Sequence, residues 1–234
     1  MRIPERSEWS EIERAVEVWP HHIGLIMDGN GRWAEMRNLS RIAGHVAGAD
    51  AYRDITCAAA LSPCAHLSLY AFSSDNWLRS EIEVGHLMDF PAWLLTPGLR
   101  SMLADRGAVI RFVGDSDDPR VPASTREYIV ETEELTSVND GTVINVVFNY
   151  DASSVASARW AAMQPPVDLL VRSGGEYRLS GFLRGLVDYA ELVFSDTLWP
   201  DMRWPHVLGA VVEYSSRRRR FGREVAPVDV PVAT

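Results

Sequence analysis

Cysteine is scarce in this chain: it has two in 234 residues, Cys57 and Cys64. They stand seven apart, with no second pair and no histidine cluster nearby. That excludes a disulfide framework and a zinc site of ordinary spacing. Both are expected as buried apolar residues in a reducing compartment. Long apolar runs are lacking too. No window approaches the ~20 residues of a membrane span, and the stretch 1–18 is charged, without a signal-peptide core. A cytoplasmic protein is expected. Positive charge is not in excess: the net charge is −9, so no nucleic-acid partner is expected. An anionic substrate would have to be met by a local basic pocket. The sequence has no internal repeat and no low-complexity stretch. It has no Gly-x-x-x-x-Gly-Lys-Ser/Thr loop, which argues against a P-loop NTPase. No Gly-x-Gly-x-x-Gly opens the first helix, which argues against a dinucleotide site. Ser73 and Ser74 lack a Gly-x-Ser-x-Gly context, and no nucleophilic triad stands out.

What is present is an ordinary globular balance, 47% apolar and 24% charged, in a length that suits one core. Short apolar runs with strand character occupy 23–27, 66–72, 109–113, 143–148, 167–171 and 192–194. Helical periodicity fills 46–61, 82–104 with breaks at Pro91 and Pro97, and more weakly 126–135. A short helix is expected over 11–18. Strand alternating with helix predicts a single-domain α/β fold. Its central sheet should be parallel and covered on both faces. The segment 217–234 is basic and then rich in proline and valine, and reads as a tail or arm.

The apolar runs end in polar loops: 28–32, 73–76, 149–151 and 172–175. Ligands of open α/β sheets bind outside the carboxyl ends of the strands, so these loops are candidates for one site. Asp28 at a strand tip suits Mg²⁺, a hard cation that takes one or two carboxylates plus phosphate oxygens. Gly29 and Gly31 allow close approach of an anion. Backbone N–H groups from Asn30 to Trp33 could cap a phosphate, and Arg32 adds a bidentate cation. A plain Asp-Gly turn fits the same residues, and spacing leaves the two readings open. Arg41 and His45 share a helix face, although solvated side chains suit that spacing as well. Arg172, Arg178 and Ser180 around Gly174 and Gly175 suit a second diphosphate; a surface turn is the simpler alternative. Glu191 enters an apolar run and needs a partner or a metal, or an ordinary salt bridge.

The stretch from His22 to Trp33, followed by Arg41 to His45, resembles the first signature of the cis-prenyltransferase family. Residues 70–79 resemble its second signature and 168–180 its third. Tyr189-Ala190-Glu191-Leu192 and Leu198-Trp199-Pro200 follow in order. The resemblance covers 20–223, leaving 1–19 as an N-terminal extension and 224–234 as a C-terminal tail. It implies a six-stranded, mostly parallel sheet with flanking helices, a homodimer and an elongated apolar tunnel. Asp28 and Glu191 would hold Mg²⁺. Gly29, Asn30, Gly31, Arg32, Arg41 and Arg79 would line an allylic diphosphate site, with Trp33 and His45 close by. Arg172, Arg178 and Ser180 would hold the second diphosphate, and Ser73 and Asn76 would sit near the reacting carbons. Arg220-Phe221-Gly222 resembles a tail motif that completes the second site across the dimer.

The chain departs from the family at several positions. Asn149-Tyr150-Asp151-Ala152-Ser153 stands where Asn-Tyr-Gly-Gly-Arg is usual, and the stretch from Tyr150 to Pro166 is short, so helical structure is expected to be missing there. Ala43 stands where an aromatic is common, Gly181 where Asn is usual and Gly185 where Trp is usual. Ala71 is small where a bulky residue could block a tunnel. The resemblance and these departures together imply a short-product prenyl diphosphate synthase joining an allylic diphosphate to isopentenyl diphosphate. The alternative is head-to-middle coupling of two allylic diphosphates to a branched lavandulyl-type product. A non-catalytic subunit would have lost Asp28 and the arginines, which are all present. A phosphatase would need a nucleophile or a metal cluster. No transmembrane segment is implied, and a peripheral membrane contact remains compatible.

Overall fold

The computed structural model describes residues 9–218. Six strands form one sheet: β1 (His22–Ile26), β2 (His66–Tyr70), β3 (Val109–Val113), β4 (Val143–Val147), β5 (Leu169–Arg172) and β6 (Glu191–Phe194). Their order is β3-β4-β2-β1-β5-β6. Every pairing is parallel, where a mostly parallel sheet was expected. The helices are α1 (Ser10–Arg14), α2 (Asn30–Glu35), α3 (Arg41–Ala59), α4 (Glu81–Met88), α5 (Phe90–Leu94), α6 (Pro97–Asp105), α7 (Ala123–Thr136), α8 (Val155–Ala161) and α9 (Trp204–Ser216).

Alternation along the strands sorts the two faces. Ile23, Leu25, Leu67, Leu69, Ile144 and Val146 face a large core closed by α3, α4 to α7 and α9. Ile26, Val147 and Leu170 face a thinner layer made by α8 and the loop carrying Phe182, Leu183 and Leu186. Gly24 permits that thin layer: a Cβ there would stand 2.9 Å from the Phe182 ring and 3.0 Å from Leu170.

Local chemistry sets the helix ends. Helix α3 starts five residues before the periodic segment because Ser40 caps it, its Oγ accepting the Ala43 N–H. Helices α5 and α6 carry proline in their first turn, where its missing N–H costs nothing. The segment expected to be helical with breaks at Pro91 and Pro97 is three short helices, α4, α5 and α6. Helix α1 stops at Arg14, short of the predicted end. The segment 150–166, expected to lack a helix, contains α8, capped by Ser154, whose Oγ accepts the Ser157 N–H. Its shortness left room for two turns.

Cys57 and Cys64 are buried free thiols. Burial raises their pKa to about 11 and about 12. Among the described residues no helix is long and apolar enough to cross a membrane.

His22 is fully buried. One ring nitrogen is 2.9 Å from the Pro165 carbonyl and the other 2.8 Å from Ser68 Oγ, which also accepts the Asn145 amide. Desolvation lowers its pKa to about 4, against the bond to Pro165. The unfolded chain binds that proton near pH 6.5, so stability is intact above that value and is lost as pH falls towards 4. We expect unfolding free energy to be about 2 kcal/mol lower at pH 5 than at pH 7.5, with most of the difference absent in His22→Gln. Urea titrations at both pH values check this, and a flat wild-type response would refute it.

Candidate active site

Three of the four polar loops at the carboxyl edge of the sheet, those after β1, β2 and β5, converge on one cleft of about 290 Å³, and 149–151 is not among its lining residues. Asp28 stands just beyond β1. Its backbone is pinned on both sides: Ser173 Oγ accepts the Asp28 N–H at 2.9 Å, and the Asp28 carbonyl accepts the Trp199 N–H at 2.9 Å. Gly29 follows with φ 108°, and a Cβ there would lie 2.8 Å from Leu198. The turn therefore needs glycine for conformation and for space. Helix α2 starts at once. The Trp33 N–H bonds to the Gly29 carbonyl, so the N–H groups of Asn30, Gly31 and Arg32 have no acceptor within the helix.

Two basic clusters line the cleft, and Asp28 lies in the first of them. Arg172, 4% exposed at the end of β5, places Nη2 2.8 Å from Asp28 Oδ2. Its Nη1 donates to Ser180 Oγ at 3.1 Å and also to the Arg178 carbonyl. Arg32 Nη2 lies 3.3 Å from Asp28 Oδ1 and packs where a Cβ on Gly174 would be 2.7 Å away. Glu176 ion-pairs with both Arg32 and Arg178. The other cluster lies across α2. Arg41, His45 and Arg79 all reach Glu83. Burial lowers the pKa of His45, against the bond to Glu83 that raises it, so the imidazole is neutral near pH 7. Burial acts to raise Glu83, but Arg79, His45 and Arg41 outweigh it and leave its pKa lowered.

Asn76 lies in a 3-10 turn over 74–78 that Ser73 precedes as its N-cap, and Asn76 Oδ1 accepts the Ser73 N–H at 3.0 Å. Trp77 fixes this turn: its indole donates to Asn149 Oδ1 at 2.8 Å, and Arg120 lies 4.2 Å over its ring. The lining also includes the apolar side chains of Ile26, Phe72, Leu87 and Phe90.

The cleft gathers most of the residues expected from sequence: 28–32, Arg41, His45, Ser73, Asn76, Arg79, Arg172, Arg178 and Ser180. Two of the described ones are not brought in. Trp33 is outside the lining, its indole donating to Asp201 at 2.8 Å with Arg37 stacked above. The loop N–H groups reach the cleft while the side chain, next along α2, turns outward. Glu191 begins β6 and pairs in register with Leu169, itself opposite Ile23. That places it at the amino edge, roughly 16 Å of strand from Asp28, ion-paired with Arg217 at 2.8 Å. Arg220 and Gly222 lie outside the described residues. Sequence reasoning missed Glu83 and Glu176. The i,i+4 spacing of Arg79 and Glu83 was the available signal. It also passed over the lack of lysine: every cationic side chain at the cleft apart from histidine is a guanidinium. Its five donors can serve a carboxylate and a phosphate together.

Among the described residues no group of three His, Cys, Asp or Glu side chains is placed to hold a metal. One carboxylate fits Mg²⁺ of the kind that takes most of its ligands from water and substrate phosphate. Asp28 would be that ligand. Three buried polar atoms at the cleft have no protein partner: Asn30 Oδ1, His45 Nδ1 and Arg172 Nε. Such atoms are costly unless a ligand or water satisfies them.

An α/β fold whose cleft holds two basic clusters, one around Asp28 and one around Glu83, is the frame of an enzyme that brings two anionic substrates together. The comparisons with known proteins agree. A family model described as "Putative undecaprenyl diphosphate synthase" matches residues 26–158 and 152–222. The isoprenyl transferase of Chlorobaculum tepidum is 35% identical over 250 residues, covering 94% of this chain and 92% of that protein. The ditrans,polycis-undecaprenyl-diphosphate synthase ((2E,6E)-farnesyl-diphosphate specific) of Escherichia coli is 37% identical over 228 residues, covering 86% and 89%. A crystal structure of lavandulyl diphosphate synthase from Lavandula x intermedia, in complex with dimethylallyl diphosphate, superposes with a TM-score of 0.82 at 26% identity, covering 88% of this chain and all of that one. The chain belongs to the cis-prenyltransferase family and is an isoprenyl diphosphate synthase.

Proposed function

We propose that this enzyme condenses an allylic diphosphate with isopentenyl diphosphate to a short-chain product, with Mg²⁺ held at Asp28. The observation that carries the reading is Arg172, which touches Asp28 on one side and Ser180 and the Arg178 carbonyl on the other. One buried guanidinium so links the leaving-group site to the second-diphosphate site. The allylic C–O bond breaks, and its electron pair leaves with the diphosphate. The alkene of the second substrate attacks the allylic carbon to form the new C–C bond, and a proton departs. Arg32, Arg41 and Arg79 stabilise the charge that develops on the leaving diphosphate. The bound metal adds charge at the same place. Ser73 and Asn76 line the cleft near the reacting carbons, and Asn76 or the released diphosphate assists the proton transfer. The apolar wall of Phe72, Leu87 and Phe90 shields the cation from water.

A short product, about ten to fifteen carbons by our reckoning, is supported by the cleft volume of about 290 Å³. That lies at the low end for a pocket holding a drug-sized ligand. Head-to-middle coupling of two allylic diphosphates is the second reading. It is favoured by the likeness to lavandulyl diphosphate synthase and by the departures from the family pattern at Asp151, Gly181 and Gly185. The enzyme is further proposed to work in the cytoplasm as a homodimer, a reading supported by edge strand β6, partly exposed along its length. Glu191 can serve the metal at Asp28 only if that aspartate belongs to a second chain. The test is incubation with Mg²⁺ and dimethylallyl or geranyl diphosphate, with and without isopentenyl diphosphate, followed by mass spectrometry and NMR of the dephosphorylated products. Product that requires isopentenyl diphosphate and stops within about three isoprene units is expected. Product formed without it establishes the second reading, and a ladder of tens of carbons would overturn the limit on length.

A further inference from the structure

We infer that Glu83 is a positioning residue for the first diphosphate site: it holds Arg41, Arg79 and His45 in the arrangement that receives the allylic diphosphate. The inference rests on the proposed function and adds to it a residue from outside the diphosphate-binding motifs.

By sequence, Ser80-Glu81-Ile82-Glu83 has the spacing of a capping box, in which the glutamate side chain would bond back to the N-cap N–H. Only half of that box forms. Ser80 Oγ accepts the Glu83 N–H at 3.3 Å, which fixes the Glu83 backbone in the first turn of α4. The carboxylate is turned inward instead, with its side chain 11% exposed. A buried carboxylate is costly unless paired and hydrogen-bonded. Glu83 meets that requirement three times over. Oε1 accepts Arg79 Nη1 at 2.7 Å and lies 3.2 Å from His45 Nε2, and Oε2 accepts Arg41 Nε at 3.4 Å.

The atoms it uses show the consequence. Glu83 takes the Nε edge of Arg41 and so leaves the far end of that guanidinium lying against the Asp28–Arg32 loop. A Cβ on Gly31 would be 2.5 Å from Arg41 Nη1 and 2.7 Å from Nη2. Nη1 also meets Glu35 at 2.7 Å on the half-exposed outer side. Arg79 gives Glu83 one of its five donors. Neutral His45 turns Nε2 to Glu83 and keeps Nδ1 buried without a protein partner. Long arginine side chains lose rotamer freedom when ordered. Here Glu83 has already fixed them before the anion arrives, which lowers the cost of binding. A diphosphate draws on the same guanidiniums from the opposite side, so the carboxylate and the anion do not compete for one face.

The test uses Glu83→Gln, which keeps shape and removes charge, and Glu83→Asp, which keeps charge and shortens reach. Steady-state kinetics with each diphosphate varied in turn should show the Michaelis constant for the allylic substrate raised at least tenfold in Glu83→Gln. The constant for the other substrate should stay within twofold, and Glu83→Asp should fall between. Titration calorimetry with inorganic diphosphate and Mg²⁺ should show the same loss without any turnover. Equal effects on both substrates, or unchanged allylic binding in a folded variant, would overturn the inference. If Glu83→Gln does not fold, Glu83→Asp decides by the same criterion. Wild-type enzyme that forms no prenyl product from any pair of diphosphates would instead sink the proposed function, while the calorimetry would still report on Glu83.

Discussion

Asp28→Ala is expected to lower turnover by at least ~100-fold, the size of effect seen when one preorganised charge-stabilising group is removed from an active site. Asp28 is the carboxylate at the centre of the first basic cluster, paired with Arg172 at 2.8 Å and Arg32 at 3.3 Å. Its loss removes the proposed ligand for Mg²⁺. It also releases the two guanidiniums from their fixed directions, so the leaving diphosphate meets a looser set of charges. The fold should persist, because the loop is tied through backbone atoms: the Asp28 N–H to Ser173 and the Asp28 carbonyl to Trp199. Single-turnover kinetics at saturating Mg²⁺, with circular dichroism to check folding, decide the matter. Near-normal turnover would remove Asp28 from the mechanism.

Arg172→Ala should weaken the second diphosphate by roughly ten- to a hundred-fold and lower the maximal rate as well. Each charge-assisted hydrogen bond that it could give the substrate contributes ~1.5–3 kcal/mol. It also leaves Asp28, Ser180 and the Arg178 carbonyl without a buried donor, so the variant should be less stable than wild type. Arg178→Ala is the contrast. Its side chain is 60% exposed and pairs with Glu176, so it should raise the Michaelis constant for the same substrate with little change in maximal rate or stability. Kinetics with each substrate varied alone, together with thermal melts, test both. If only the allylic constant moved, the two sites would be wrongly assigned.

The sequence by itself determined the strand positions, the α/β class and most of the residues that line the candidate cleft. These follow from local chemistry: β3 was read at its true bounds, because five apolar-rich residues between polar turns have one reading, and Asp28-Gly29 marks a strand tip wherever it is placed. It also carried enough motif to reveal the family, since five segments recur in order. Tertiary structure decided the rest. Trp33 is one residue past Arg32 and Glu191 is inside a family motif, yet helix direction turns one outward and strand register puts the other at the opposite edge of the sheet. Neither direction nor register can be read from spacing. Glu83 shows the converse. Its sequence context describes a helix cap, and only the approach of α3 to α4 brings Arg41 and His45 to its carboxylate. A motif records which residue types are available, whereas the burial and partner that fix a side chain's charge come from segments far away in the chain.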